Sequence, residues 1–431
     1  MINSLIDFLN ASPVNFLAAA TIMKTLDEAG FQRLDARDEW KLENGGKYYV
    51  TQNDSAVFAF IMPIVFTLAP SPHPFHIITA HSDSPGFRIK PNCEMLGEGR
   101  MLRLNTEVYG GPILYTWFDR PLSIAGRVIL RGEDPLNPKR VNVRFNRPML
   151  TIPHLAIHFN RTVNEGNPLS KQKDMMPVVG VLPEGEDAKG WLTRTVAKEL
   201  GVKSEEILDF DLSLYDIEKA CVCGAFNDFI SGGRIDDLSM AHAALTALLS
   251  ADSGNESVRV MAIFDNEETG SGTKQGAASP ILDYMLRRIN TALGNNEEDY
   301  MRAVAASFMV SADNGHGLHP NYVEKQDPTN HPILGQGPVI KINANCKYMT
   351  DADSSAVFAS ICKLASVPVQ YFVNHSDVAG GSTLGNILTS QIPLRGVDMG
   401  APVWAMHSVR ETASVKDHEY VIKVFTQFYN L

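Results

Sequence analysis

Four short apolar runs, far apart in the chain, each stop at a side chain that can carry a proton or hold a cation. FHIITA (residues 75–80) leads into His81 and Asp83, and VRVMAIF (258–264) into Asp265, Glu267 and Glu268. SFMVSA (307–312) runs into Asp313, and PVWAM (402–406) into His407. Such runs, bounded by turn residues, read as buried strands. In an α/β sheet functional groups collect at the carboxyl ends of strands, where loops can vary without disturbing the core. Four strand ends that each deliver His, Asp or Glu point to one site rather than to four unrelated surfaces.

The expected fold class is α/β, a three-layer catalytic domain with a mixed central sheet plus an inserted β-rich domain. Residues 1–91 and 231–431 form the catalytic domain. An N-terminal helix is expected with Ser12 as N-cap, Pro13 in its first turn, apolar positions from Phe16 to Leu26 and Gly30 as its stop. A second helix covers residues 237–249. Residues 92–230 change texture, with β-branched runs such as GRVIL and VNVRF separated by turns like GEDPLNPK. RTVNEGNPLSKQKD (161–174) reads as a polar loop within this insertion.

Composition narrows the function classes. The 431 residues carry a formal charge of −11 and no dense Lys/Arg run, which argues against a general nucleic-acid surface. The longest apolar stretch, VFAFIMPIVFTLA (57–69), contains Pro63 and is too short to span a bilayer, so it reads as one or two buried strands. The first basic residue is Lys24, which leaves no charged leader region. The five cysteines are scattered. No disulfide framework is expected, and a cytoplasmic setting fits.

His81 and Asp83 are two apart in extended chain and so share a side. A carboxylate beside an imidazole fixes one ring nitrogen and leaves the other for a metal. The turn at Gly232-Gly233 places Asp236 and Asp237 at a helix start, where carboxylates are favoured. Neighbouring Glu267 and Glu268 on a turn point in different directions, so one can bind metal while the other acts as a base. The whole inventory is nitrogen and oxygen, suited to a pair of divalent ions: zinc, cobalt or manganese.

HSDSPG, GGRIDDL, FDNEETGSGT, SADNGHGLHPNY and MHSVRE, in this order, resemble the M18 family of aminopeptidases in the co-catalytic metallopeptidase clan. YGGPILYTWFDRPLSIAGRVIL, IPHLAIHFNR and GQGPVIKIN extend the resemblance over nearly the whole chain. It implies that His81, Asp236 and Asp313 hold one metal, with Asp236 bridging to a second held by Glu268 and His407. Asp83 would orient His81, Glu267 would be the general base, and the Asp236–Asp237 peptide would be cis. A metal-bridging water would lose its proton to Glu267 and attack the scissile carbonyl. The resemblance further implies peptide substrates, perhaps-acidic N-terminal residues among them, and a homo-oligomer in the form of a tetrahedral dodecamer. His158 would reach a neighbouring subunit's site, and His154 is an additional metal or substrate candidate. Asp377, Gly381 and Thr383, in a stretch with Ala379-Gly380 where the family usually has Pro-Cys, would line the substrate pocket. Lys341 or Lys347 could pair with an acidic side chain, while His316 and His319 would support the ligands from outside. Competing readings are a carboxypeptidase or deacylase of the same clan, or a catalytically silent oligomeric scaffold.

Overall fold

A computed structural model describes residues 1–64, 72–252 and 256–431. The chain forms two compact units. The first gathers Met1–Asp83, Ala220–Met406 and Glu411–Leu431, and the second Ser84–Lys219 with His407–Arg410. These divisions fall at Ser84 and Ala220, not at residues 92 and 231. The reason is strand pairing: Gly86–Leu96 already pairs with Met101–Tyr109 in the second unit, whereas Phe229–Gly232 pairs with Glu411–Ser414 in the first.

The first unit is built on a nine-stranded mixed sheet. Its central strands, Val258–Phe264, Phe75–His81, Phe308–Ala312 and Gly396–Gly400, are neighbours in that order and parallel. Every residue of Val258–Phe264 is buried. Met261 and Ile263 face one core, while Val260, Ala262 and Phe264 face another. A strand covered on both sides has no polar face, which is why these segments read as predominantly apolar runs. Helices Ile2–Ala11, Asn15–Glu28, Ile235–Ser250, Ala352–Leu364 and Val415–Tyr429 cover one side. Ile281–Ala292, Glu297–Ala306 and Leu384–Thr389 cover the other, giving three layers.

The second unit contains a six-stranded sheet in the order Lys139–Arg144, Leu122–Leu130, Ile207–Asp216, Gly86–Leu96, Met101–Tyr109, Val178–Val181. All its pairings are antiparallel. Its core is separate and takes in Leu192 and Val196 of helix Trp191–Leu200.

Two expectations are corrected. Ser12 does not cap the helix after it. Leu5, Phe8 and Leu9 make an apolar face for a helix at Ile2–Ala11, Ser12 follows that helix, and the next starts after Val14. The PVW strand, Pro402–Trp404, lies in a smaller five-stranded sheet with Gly315–His316 and Glu411–Ser414. Gly396–Gly400 takes the place beside Phe308–Ala312 in the large sheet. The apolar run at 57–69 supplies strand Ala56–Ile61, and its residues 65–69 lie outside the described ones. Among the described residues, no helix is long and apolar enough to cross a membrane.

Candidate metal centre

The site is built at the carboxyl ends of three adjacent parallel strands of the first unit. Phe264 stands opposite His81, and Ser311 opposite Thr79, so the strands end nearly level. Neighbouring strands are about 4.8 Å apart, which delivers the residues that follow them to one place. Helix Ile235–Ser250 starts at the same place, and its Asp236–Asp237 peptide bond is cis. Asp237 is fully buried and accepts from the His81 amide at 3.1 Å and the Asn314 amide at 3.2 Å. One carboxylate thus ties two strand ends to the helix start. The Asp236 amide donates to buried Glu411 at 3.0 Å.

The His81 Nδ1 lies 3.0 Å from the Asp83 carbonyl oxygen and 3.3 Å from its Oδ1. A carbonyl can only accept, so Nδ1 carries a proton and Nε2 is the nitrogen that a cation could take in place of a second proton. That nitrogen faces Asp236 Oδ1 at 3.7 Å and Glu267 Oε2 at 4.0 Å. The Asp83 carboxylate has a second task. Its Oδ1 accepts from the Glu267 amide and its Oδ2 from the Glu268 amide, each at 3.1 Å. The turn is pinned again at Asn266, which has a φ of 62° and whose Oδ1 accepts from Thr273 and Gln275. Asp265 does not join the ligands; both its oxygens accept from Asn15. Burial raises the Asp265 carboxyl to about 6.

Donor atoms of His81, Asp236, Asp237 and Asp313 lie within 4.8 Å of one another, as do those of His81, Glu267 and Glu268. Burial pushes the Glu267 carboxyl up to about 7, with His81 opposing and Asp313, Asp83 and Asp236 adding to the rise. Burial, reinforced by Asp236, holds Glu268 well above the usual carboxylate range. Asp237 is also held well above it by burial. Asp313 rises through burial although Lys341 opposes it. For His81, burial opposes the charged ring, but Asp236 and Asp83 outweigh it and keep the imidazolium favoured. Buried carboxylates crowded enough to retain protons are stabilised when divalent cations replace those protons. With a nitrogen and oxygen donor set, the residues fit a zinc-type centre.

Lys341 is buried, with its Nζ 3.2 Å from Asp313 Oδ2 and 2.8 Å from the Asn314 carbonyl oxygen. It therefore braces Asp313 and is not a surface lysine. Gly400 lets the next strand pass: a Cβ there would meet the Asp313 carbonyl oxygen at 1.9 Å. Thr383 is buried and its hydroxyl donates to Asp398 at 2.8 Å. Asp377 is exposed, its carboxylate 3.9 Å from His375 Nδ1, and Gly381 is exposed in the same segment. Lys347, His316 and His319 are exposed and outside the ligand groups.

The remaining expected residues belong to the second unit. His407 has a φ of 68°, and its Nδ1 lies 3.1 Å from the Gly111 carbonyl oxygen. This leaves Nε2 as the basic nitrogen, the same tautomer as His81. His154 packs edge-on to Phe118 at 4.5 Å between ring centres, and its amide donates to Asp119. His158 is exposed on the short turn Ile157–Phe159.

Glu411, Asn314 and the bracing role of Asp237 were not expected from sequence. Glu411 ends the segment MHSVRE, and a glutamate opening the strand ETAS beside an apolar core was the only hint of its burial.

The family profile described as aminopeptidase I zinc metalloprotease (M18) matches residues 8–429. A probable M18 family aminopeptidase 2 of Clostridium novyi is 49% identical over 429 residues, covering 100% of this chain and 98% of that protein. A protein of the same description from Pseudomonas aeruginosa is 43% identical over 427 residues, covering 99% and 97%. Among solved structures, one from the cryo-EM structure of the Ape4 and Nbr1 complex superposes with a TM-score of 0.94 at 36% identity, covering 99% of this chain and 84% of that one. One from the S. cerevisiae mApe1 dodecamer gives 0.85 at 26% identity, covering 99% and 95%. The chain therefore belongs to the M18 family and is a metalloaminopeptidase.

Proposed function

We propose that this aminopeptidase removes single N-terminal residues from peptides, with a preference for acidic ones, using two divalent cations, zinc foremost. The observation that carries the reading is the pair of overlapping carboxylate-rich groups, one with Asp236 and Asp313 and the other with Glu267 and Glu268, that share the buried His81. His81, Asp236 and Asp313 would hold one cation. Asp236, Glu268 and His407 would hold the other, with His154 as a further candidate. When bound, the cations supply Lewis acidity toward the scissile carbonyl and acidify a coordinated water.

Glu267 is the proposed general base. Its carboxyl, raised to about 7 by burial, is matched to taking a proton from water and returning it to the leaving amine. Asp83 holds that base in place through the Glu267 amide while it fixes the tautomer of His81. Lys341 spends two of its three N–H bonds on Asp313 and the Asn314 carbonyl; the third is the proposed donor to an acidic substrate side chain. Asp377, Gly381 and Thr383 would flank the substrate.

A cytoplasmic homo-oligomer, a tetrahedral dodecamer, completes the reading. It is supported by the dodecameric relative and by exposed Leu155, Ile157 and Phe159 around His158, the residue proposed to reach a neighbouring site. The test combines Glu267→Gln with substrate chemistry. Hydrolysis of an acidic dipeptide should fall by about 10²–10⁴-fold while metal content by elemental analysis is kept, and N-acetylation of the dipeptide should abolish cleavage. Unchanged turnover in the variant, or cleavage of the acetylated peptide, would sink the mechanism.

A further inference from the structure

A second cavity lies at the opposite end of the large sheet, away from the metal centre. Arg259 pairs in register with His76, and Phe264 with His81, so five residues separate the two levels. At about 3.3 Å per residue this is roughly 16 Å along the strand. The cavity measures 370 Å³, within the range of small-ligand sites. Its apolar wall includes Ile61, Met62 and Leu248, and its charged groups are Lys47, Arg259 and Asp252.

Arg259 is the unusual member. It is 3% exposed, and its Nε is buried with no hydrogen-bond partner among the described residues. Burial lowers the guanidinium's affinity for its proton, although nearby Asp252 works the other way. A buried guanidinium N–H left unpaired is costly, and a planar carboxylate is the acceptor the fork matches. Asp252 instead takes bonds through Asn430, which donates to it at 3.3 Å. With Lys47 and Arg259 against Asp252, the cavity carries a net positive charge beside an aliphatic wall.

We infer that this cavity is a binding site for a small carboxylate with an aliphatic tail, its carboxylate on Arg259 and Lys47 and its tail against Ile61, Met62 and Leu248. Two sources share that chemistry, a short fatty acid and a free aliphatic amino acid. The amino acid would also place its ammonium on Asp252.

The test is calorimetric titration of the metal-loaded full chain with hexanoate, hexanol, acetate and leucine. Hexanoate should bind. Hexanol, lacking the charge, and acetate, lacking the tail, should each bind about tenfold more weakly or worse. Arg259→Lys and Lys47→Gln should each weaken hexanoate about tenfold without changing dipeptide hydrolysis. Met62→Trp, which fills the cavity and leaves the cations alone, should block binding should Arg259→Lys fail to fold. Tighter binding of leucine that is lost in Asp252→Asn assigns the site to amino acids, and binding of hexanoate alone assigns it to fatty acids. No hexanoate binding, equal binding of hexanol, or binding unaffected by the Lys47 and Met62 changes would overturn the inference.

Discussion

Asp83→Asn is nearly isosteric, yet it should damage catalysis. In the native chain Oδ1 accepts from the Glu267 amide and lies 3.3 Å from His81 Nδ1, while Oδ2 accepts from the Glu268 amide. Each oxygen therefore faces N–H groups. An asparagine offers one oxygen and one NH₂, and the NH₂ must point at a donor whichever way it flips. The less damaging choice keeps the oxygen toward Glu267 and His81 and breaks the bond to Glu268. One hydrogen bond to a charged acceptor, about 1.5–3 kcal/mol, is lost, and a donor–donor contact replaces it. If that strain is expressed in the transition state, turnover falls roughly ten- to hundredfold. Dipeptide hydrolysis at saturating zinc reads this out, with circular dichroism to confirm folding. The fall should appear in kcat more than in KM, because Glu267 is the proposed base and Glu268 a proposed cation ligand. Activity within about threefold of wild type, with metal content intact, would show that Asp83 does not position the turn and that the reasoning is wrong.

Other outcomes follow from the same structure. Lys341→Met removes the buried cation against Asp313 and should cost about 3–5 kcal/mol in urea unfolding of metal-stripped protein, less when zinc is present. Gly400→Ala forces a methyl group against the Asp313 carbonyl, so a loss of about 1–3 kcal/mol and a lower Tm are expected. Burial lowers the pKa of His76 from 6.5 to about 4. The unfolded chain then binds a proton in that window that the folded one does not, so stability is present above 6.5 and lost as pH falls toward 4. In His76→Gln the slope of stability against pH should drop by about 1.4 kcal/mol per pH unit across that window, as measured by urea titrations.

Much of the large sheet was legible because strands buried on both faces leave no alternating pattern to misread. Phe75–His81 and Val258–Phe264 fall where their apolar runs lie. The PVW strand failed as a sheet assignment because local sequence cannot choose between two sheets; Gly396–Gly400, whose letters GVDMG carry a buried aspartate, took the central place. The first helix was missed because its apolar face, Leu5, Phe8 and Leu9, has no capping signal before it. Within the metal centre, His81 and the two glutamates announced themselves by following strands. Lys341 and Glu411 did not, since a buried ionic residue is recognised by its partner, and Asp313 and the Asp236 amide are far away in sequence.

The discontinuity of the first unit sets an order of events during synthesis. Glu411, which holds the Asp236 amide, and helix Val415–Tyr429, which packs in the same core as helix Ile235–Ser250, are translated long after His81, Asp236 and Asp313. A nascent chain thus exposes the proposed cation ligands while part of the scaffold around them is still missing. The scaffold around Asp236 therefore closes only after Glu411 and helix Val415–Tyr429 have been added to the growing chain.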